Sequence, residues 1–392
     1  MMKISERIYH VGVNDTDKTL FEGLWPLPCG VSYNSYLAVD DKVALIDTVE
    51  GGFEDEFLNN IDEVIGGRPV DYLVVNHMEP DHSSLISYML SRYPEMKIVA
   101  NVKTLPMLSG YYGVPQEKVV VVSDGSEISL GSCTLTFYMT PMVHWPETMM
   151  TWLKEEGTLF SGDAFGTFGT VDDVVTDTGS TLDSYRDEMV RYYSNIVGKY
   201  GTPVQTALKR LSALTVKRIC STHGPVWEKE AADVVALYDR LSRGETVRGV
   251  CIAYGSMYGN TASAAQSLAS ELERSGIPYA IHDLAGNNES GLGVSGALRD
   301  AFVYDTICVG SPTYNNGIFP PVETFMNALQ SRLVKGRRFY AFGSYTWSGA
   351  SVRLLNERAG ALGFEILGNG LSFPQAYSPE KCDMSAVAEL LK

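Results

Sequence analysis

Six consecutive residues, His77-Met78-Glu79-Pro80-Asp81-His82, hold four side chains able to bind a metal ion, and they follow directly on the apolar run Tyr72-Leu73-Val74-Val75-Asn76. Three further donors stand in the same relation to apolar runs: His144 after 136–140, Asp163 at the end of 159–162, and His223 at the end of 219–222. A strand end feeding a loop is where a rigid scaffold presents functional groups, so one site gathering all seven is expected. Any one of these residues alone reads as a surface or hydrogen-bonded core residue. Their distribution argues otherwise, because four of the chain's six histidines belong to the set and only His10 and His282 stand outside it. Four imidazoles and three carboxylates without a thiolate suit iron, manganese or zinc, and seven donors exceed what one tetrahedral ion uses. Two ions are implied. Asp163, far in sequence from both the HxExDH block and His223, is the candidate to bridge them at the spacing of about 3.5 to 4 Å usual for two-metal sites.

The second half carries a different chemistry. Gly255-Ser256-Met257-Tyr258-Gly259-Asn260-Thr261 joins an apolar strand to a helix, a turn that offers backbone N–H groups and hydroxyls to a phosphate. No Lys follows as in GxxxxGK[ST], which disfavours a nucleoside triphosphate and favours a monophosphate. Such a turn alone is often only a tight turn. Two more loops at strand ends raise its meaning: Ser311-Pro312-Thr313-Tyr314-Asn315-Asn316-Gly317 and Ser344-Tyr345-Thr346-Trp347-Ser348-Gly349. Each pairs an aromatic face with small polar groups, as needed to sandwich a planar ring and bond its edge.

The elements that must position these residues read as two domains. Segments 35–39 and 43–47 flank Asp40-Asp41-Lys42 as a hairpin, with helices expected over 53–65, 202–214 and 228–243. The break at Arg243-Gly244-Glu245-Thr246 sets domains at 1–245 and 246–392. Beyond it, strands at 247–254, 306–310 and 338–343 separated by helices predict a doubly wound parallel sheet. The 392 residues suffice for two cores, and 31 Lys+Arg against 47 Asp+Glu leave a net charge of −16, which argues against a nucleic-acid partner. No apolar run approaches the roughly 20 residues of a membrane span, and the N-terminal residues lack a signal-peptide core. Six scattered cysteines without a CxxC pair predict free thiols in a reducing cytoplasm.

HxExDH followed by His144, Asp163 and His223 resembles the diiron variant of the metallo-β-lactamase fold found in flavodiiron proteins, and the second half resembles flavodoxin. Together the two resemblances span nearly the whole chain. They imply an N-terminal αββα metallo-β-lactamase-like sandwich and a flavodoxin-like FMN domain. They also imply His77, Glu79 and His144 on one iron, Asp81, His82 and His223 on the other, and Asp163 on both. Zinc hydrolases of the superfamily carry HxHxDH, with His where Glu79 stands, and an anionic oxygen donor there suits redox iron better. Phe21-Glu22-Gly23 departs from many relatives, which have a His near the metal pocket. The implied activity is reduction of O2 to water, of NO to N2O, or both, at irons re-reduced by FMN. The chain shows no rubredoxin-type CxxC pair and no appended reductase domain, so electrons are expected from outside, by resemblance from rubredoxin or a reduced deazaflavin (F420H2). A head-to-tail homodimer, or a dimer of such dimers, would bring one chain's flavin to the other's irons. The alternatives are a zinc-dependent hydrolase, and an electron carrier whose first domain is only structural.

Overall fold

The computed structural model describes residues 1–171, 175–285 and 291–392. They form two compact units. The first comprises Met1–Phe21, Leu27–Tyr193 and Tyr200–Ser242, and the second comprises Glu22–Pro26, Ser194–Lys199 and Arg243–Lys392. Two short segments of the first half thus group with the second.

In the first unit, alternation of side chains along short strands builds two facing sheets. A seven-stranded sheet runs Met2–Lys3, Ile8–His10, Tyr36–Val39, Val43–Ile46, Tyr72–Val74, Lys97–Asn101, Val119–Val122. A five-stranded sheet runs Glu127–Ser129, Thr134–Met139, Met149–Leu153, Thr158–Gly162, Arg218–Ser221. Tyr36, Ala38, Ala44, Ile46, Val74 and Val99 of the first pack against Leu135, Phe137, Met149, Leu153, Phe160 and Cys220 of the second in one buried core. The intervening Leu37, Leu45 and Leu73 are equally buried on the other face, so both faces of that sheet are covered, as in an αββα sandwich. The expected hairpin pairs Tyr36 with Ile46 and Val39 with Val43.

The helix expected over 202–214 is observed as Gly201–Leu211. Leu208, Leu211 and Leu214 keep helical spacing, but the Leu214 N–H turns back to the Leu211 carbonyl and closes the helix early. That over 228–243 is Ala231–Ser242. All six cysteines are free and five are buried, Cys29 being exposed. Among the described residues no helix is long and apolar enough to cross a membrane.

The second unit is a parallel sheet in the order Tyr279–Asp283, Val247–Tyr254, Tyr304–Gly310, Arg338–Tyr345, with Glu365–Ile366 and Leu371–Pro374 both on the last strand. Strand order therefore reverses between Val247–Tyr254 and Tyr304–Gly310, the switch point where doubly wound sheets bind ligands outside the strand carboxyl ends.

His10 gives the sandwich a pH dependence. Its Nε2 lies 3.0 Å from Asn34 Oδ1, its ring meets Tyr36 edge-on, and burial pushes its pKa down to about 4 against the help of Asn34. The unfolded chain binds this proton near 6.5 and the folded chain only near 4. Stability from this residue is therefore complete above the unfolded value and falls as pH drops between the two, by up to about 3 kcal/mol at roughly 1.4 per unit. Denaturant unfolding from pH 7.5 to 4.5 should show a shallower loss in His10→Gln than in the wild type. Equal slopes would contradict the assignment.

Candidate diiron site and flavin pocket

The HxExDH block splits its own donors. Glu79 is extended (φ −59°, ψ 140°), so His77 and Glu79, two apart, project to one side. Pro80 then opens the short helix Pro80–Ser83, which turns Asp81 and His82 to the other. The strands Thr158–Gly162 and Arg218–Ser221 run parallel with Gly162 opposite Ser221, so Asp163 and His223 emerge at one edge. Asn76 ties the two sheets together there. Its side-chain amide and backbone N–H bond Asp47, its carbonyl accepts from Met149 N, and its Oδ1 accepts from Thr151.

All seven predicted donors meet at this edge, in two buried groups: His77, Glu79, His144 and Asp163, and Asp81, His82 and His223. Asp163 faces both. Its Oδ2 is 2.9 Å from His144 Nε2 and 3.6 Å from His77 Nε2, while its Oδ1 is 2.9 Å from His82 Nε2 and 3.8 Å from His223 Nε2. Glu79 Oε2 lies 3.2 Å from His77 Nε2 and 3.1 Å from His144 Nε2, and Asp81 Oδ2 lies 3.3 and 3.4 Å from His82 and His223.

The surroundings fix which nitrogen faces the centre. Glu147, a buried carboxylate, accepts from His77 Nδ1 at 2.8 Å and from Met78 N at 3.0 Å, and the Ser32 carbonyl accepts from His223 Nδ1 at 2.7 Å. With Nδ1 bonded outward, both rings turn Nε2 towards the centre, the usual carboxylate–imidazole or carbonyl–imidazole support of a ligand. Thr222 Oγ1 donates to Asp163 Oδ1 at 2.7 Å. Glu147, Ser32 and Thr222 escaped the sequence reading. Glu147 sits three residues past His144, but nothing local says that it turns back to His77.

Phe21 meets the donors. Its ring lies edge-on at 5.3 Å from His223, beside Phe168 and Tyr192, whereas Glu22 is exposed and accepts a bond from Trp25.

The donor set calls for a cation. Both oxygens of Asp81, Nδ1 of His82 and Nε2 of His223 are buried without a hydrogen-bond partner, a costly arrangement unless something else satisfies them. Burial disfavours charged imidazole, yet the carboxylates, Asp163 among them, override it. They push His82 and His144 up to about 9 and His77 well above the usual range. Burial likewise opposes ionisation of Asp163 and Glu79, but the imidazoles hold both well below the usual carboxylate range. Protons thus occupy the places that metal ions would take, and metal binding has to displace them. Oxygen and nitrogen donors in two groups sharing one carboxylate fit a pair of iron ions.

In the second unit a cavity of about 350 Å³ lies at the switch point. It is lined by the predicted Ser256, Met257, Tyr258, Asn260, Thr261, Pro312, Thr313, Tyr314, Asn315, Ser344, Tyr345, Thr346, Trp347 and Ser348. Asn316 and Gln375 also line it and were not predicted as contacts; Gln375 follows the edge strand Leu371–Pro374 at φ +60°, beyond the three loops. Gly259 (φ +86°) is the N-cap of the helix Asn260–Arg274, Gly317 pairs with Tyr314 in a two-strand ribbon, and Gly349 packs beneath the Tyr345 ring; these three support the wall. Among the described residues the lining has no charged side chain, so a phosphate there would rest on the helix N-terminus and hydroxyls, with Tyr314 and Trp347 offering ring faces. That fits FMN.

Residues 31–224 match the family described as ODP family beta lactamase, and residues 252–386 match Flavodoxin. A nitric oxide reductase of Moorella thermoacetica is 31% identical over 371 residues, covering 93% of this chain and 90% of its own. The structure of rubredoxin oxygen:oxidoreductase from Desulfovibrio gigas superposes with TM-score 0.92 at 28% identity, covering 100% of this chain and 97% of that one. The flavodiiron protein of Giardia intestinalis gives 0.93 at 26%, covering 100% and 95%. Sequence likeness over the full length, the paired domains and the donor chemistry lead to one conclusion: the chain belongs to the flavodiiron protein family, with an FMN site in its flavodoxin half and a two-iron site in its lactamase-like half.

Proposed function

We propose that this protein reduces O2 to water, NO to N2O, or both, at the diiron centre, with FMN passing electrons inward from an external donor. The observation that carries the reading is Asp163, whose two oxygens face separate imidazole groups, in a chain that also builds the flavin cavity. His77, Glu79 and His144 hold one iron, Asp81, His82 and His223 the other, and Asp163 both. The domains divide between residues 245 and 246.

Bound, the irons and the flavin supply two electrons each, which covers O2 to two waters, while coupling two NO to N2O and water takes two. The chain's residues do the positioning. Glu147 and Ser32 keep the His77 and His223 rings oriented, Thr222 fixes Asp163, and the Phe21, Phe168 and Tyr192 rings exclude water beside His223. In the second unit, Ser256 Oγ accepts from Gly259 N and Ala262 N and sets the shape of the phosphate turn.

Relatives named nitric oxide reductase and rubredoxin oxygen:oxidoreductase support the two gases, and the second name supports rubredoxin as donor; reduced deazaflavin (F420H2) is the other donor in this reading. A head-to-tail homodimer, or a dimer of dimers, is supported by Tyr258 and Trp347, which are 89% and 84% exposed at the flavin cavity. Large aromatics so placed suit a partner surface. A cytoplasmic location belongs to the same reading and is supported by the free thiols.

Anaerobically purified protein should carry about two irons and one FMN per chain, and once reduced it should consume O2 or NO in rapid-mixing experiments. Zinc at full occupancy after growth in iron-replete medium, with neither gas consumed, would overturn the redox assignment. Asp163→Ala should lose both irons by elemental analysis, whereas Glu79→Ala should retain the one held by Asp81, His82 and His223; a magnetically coupled pair surviving in Asp163→Ala would contradict the shared carboxylate. For the dimer, mixing a chain lacking iron (His144→Ala with Asp163→Ala) with one lacking FMN should restore activity after subunit exchange. Confirmed exchange without activity would exclude electron transfer between chains.

A further inference from the structure

The first unit contains a second cavity, of about 310 Å³, lying between its C-terminal helices and the five-stranded sheet. Its floor is Leu159, Phe165 and Ile219, at 1%, 2% and 0% exposure. Leu214 and Val235, half-buried, and the exposed Ala232 stand at its mouth. Ser212 supplies the one side-chain hydroxyl in a lining that is otherwise hydrocarbon and aromatic. Such a lining gives an extended or polar ligand nothing to orient it. Apolar cavities of about 150 Å³ stay dry and take up xenon or benzene.

Its location narrows the occupant further. Leu159 and Ile219 lie on the strands Thr158–Gly162 and Arg218–Ser221, which lead into Asp163 and His223. Phe165 is two residues past Asp163 and stacks on Tyr238 at 4.7 Å. Next to it, a Cβ at Gly166 would stand 3.0 Å from the Asp163 carbonyl oxygen, 3.4 Å from the His223 Cβ and 3.5 Å from the Tyr192 ring. Phe165, which lines the cavity, thus adjoins the residue that packs on Asp163 and His223.

We propose that this cavity binds a small, uncharged, apolar gas molecule and holds it next to the diiron centre. The proposal rests on the gas-reducing function argued above, but xenon, an inert probe of the same size class, tests the site without turnover. Crystals of the wild-type holoprotein pressurised with xenon should show anomalous density over Leu159, Phe165 and Ile219. Ala232→Phe and, independently, Val235→Phe, which narrow the mouth from outside the metal and flavin sites, should remove that density with iron and FMN content unchanged. Both should also lower kcat/KM for the gas about tenfold with kcat retained, the signature of impaired access rather than impaired chemistry. A wild-type cavity without xenon would overturn the proposal, as would variants that lose xenon but keep the wild-type kcat/KM. A xenon-filled wild type that consumes neither gas would overturn the function itself, and the holding role with it.

Discussion

One carboxylate organises the first half of this protein. Asp163 is buried and faces charged imidazole on both of its oxygens. It belongs to one group of donors and also lies 2.9 Å from His82 of the other. An isolated buried charge of this kind would cost several kcal/mol. Here it is stabilised by Thr222 and by imidazoles drawn from the HxExDH block and the 144 loop. The fold exists around that point in a literal sense: the HxExDH block and the 144 loop lie past strand ends of opposite sheets, and Asn76 bonds the sheets together beside them.

The same charge balance sets what a metal ion would have to displace. Carboxylates that push His82 and His144 up to about 9 make protonated imidazole the resting partner of Asp163 whenever no cation is present. A divalent ion bound there would have to displace those protons, and His77, His82, His144 and His223 are the imidazoles that would hold it. His77 and His223 are pre-oriented for this by Glu147 and Ser32, while His82 Nδ1 has no hydrogen-bond partner. His82 therefore has no outward partner of the kind that Glu147 and Ser32 give the other two rings.

How much of this was legible in the sequence depended on range. The seven donors stood out because four sit in six consecutive residues and the others also follow apolar strands, a local signal. Their division came from the family resemblance; the structure adds its local cause, Pro80 starting a helical turn after an extended Glu79. The flavin loops were legible for the same reason, each being contiguous and at a strand end. What escaped were contacts between distant residues: Glu147 with His77 across 70 positions, Ser32 with His223 across 191. No periodicity encodes these, since the sheet register that brings them together is a property of the finished fold. Gln375 was missed because it reaches the flavin cavity from a strand beyond the three loops. The helix predicted through Leu214 stops at Leu211 because apolar spacing reports which side is buried, not where the backbone leaves the helix.

The central claim is that one Asp163 oxygen belongs to each metal ion. Anomalous diffraction at the iron edge, on anaerobically loaded crystals, tests it directly. The account predicts two peaks about 3.5 to 4 Å apart, one within bonding distance of Asp163 Oδ2, His77, Glu79 and His144, the other of Asp163 Oδ1, Asp81, His82 and His223. A single peak, or two peaks with Asp163 bound to only one, would contradict it.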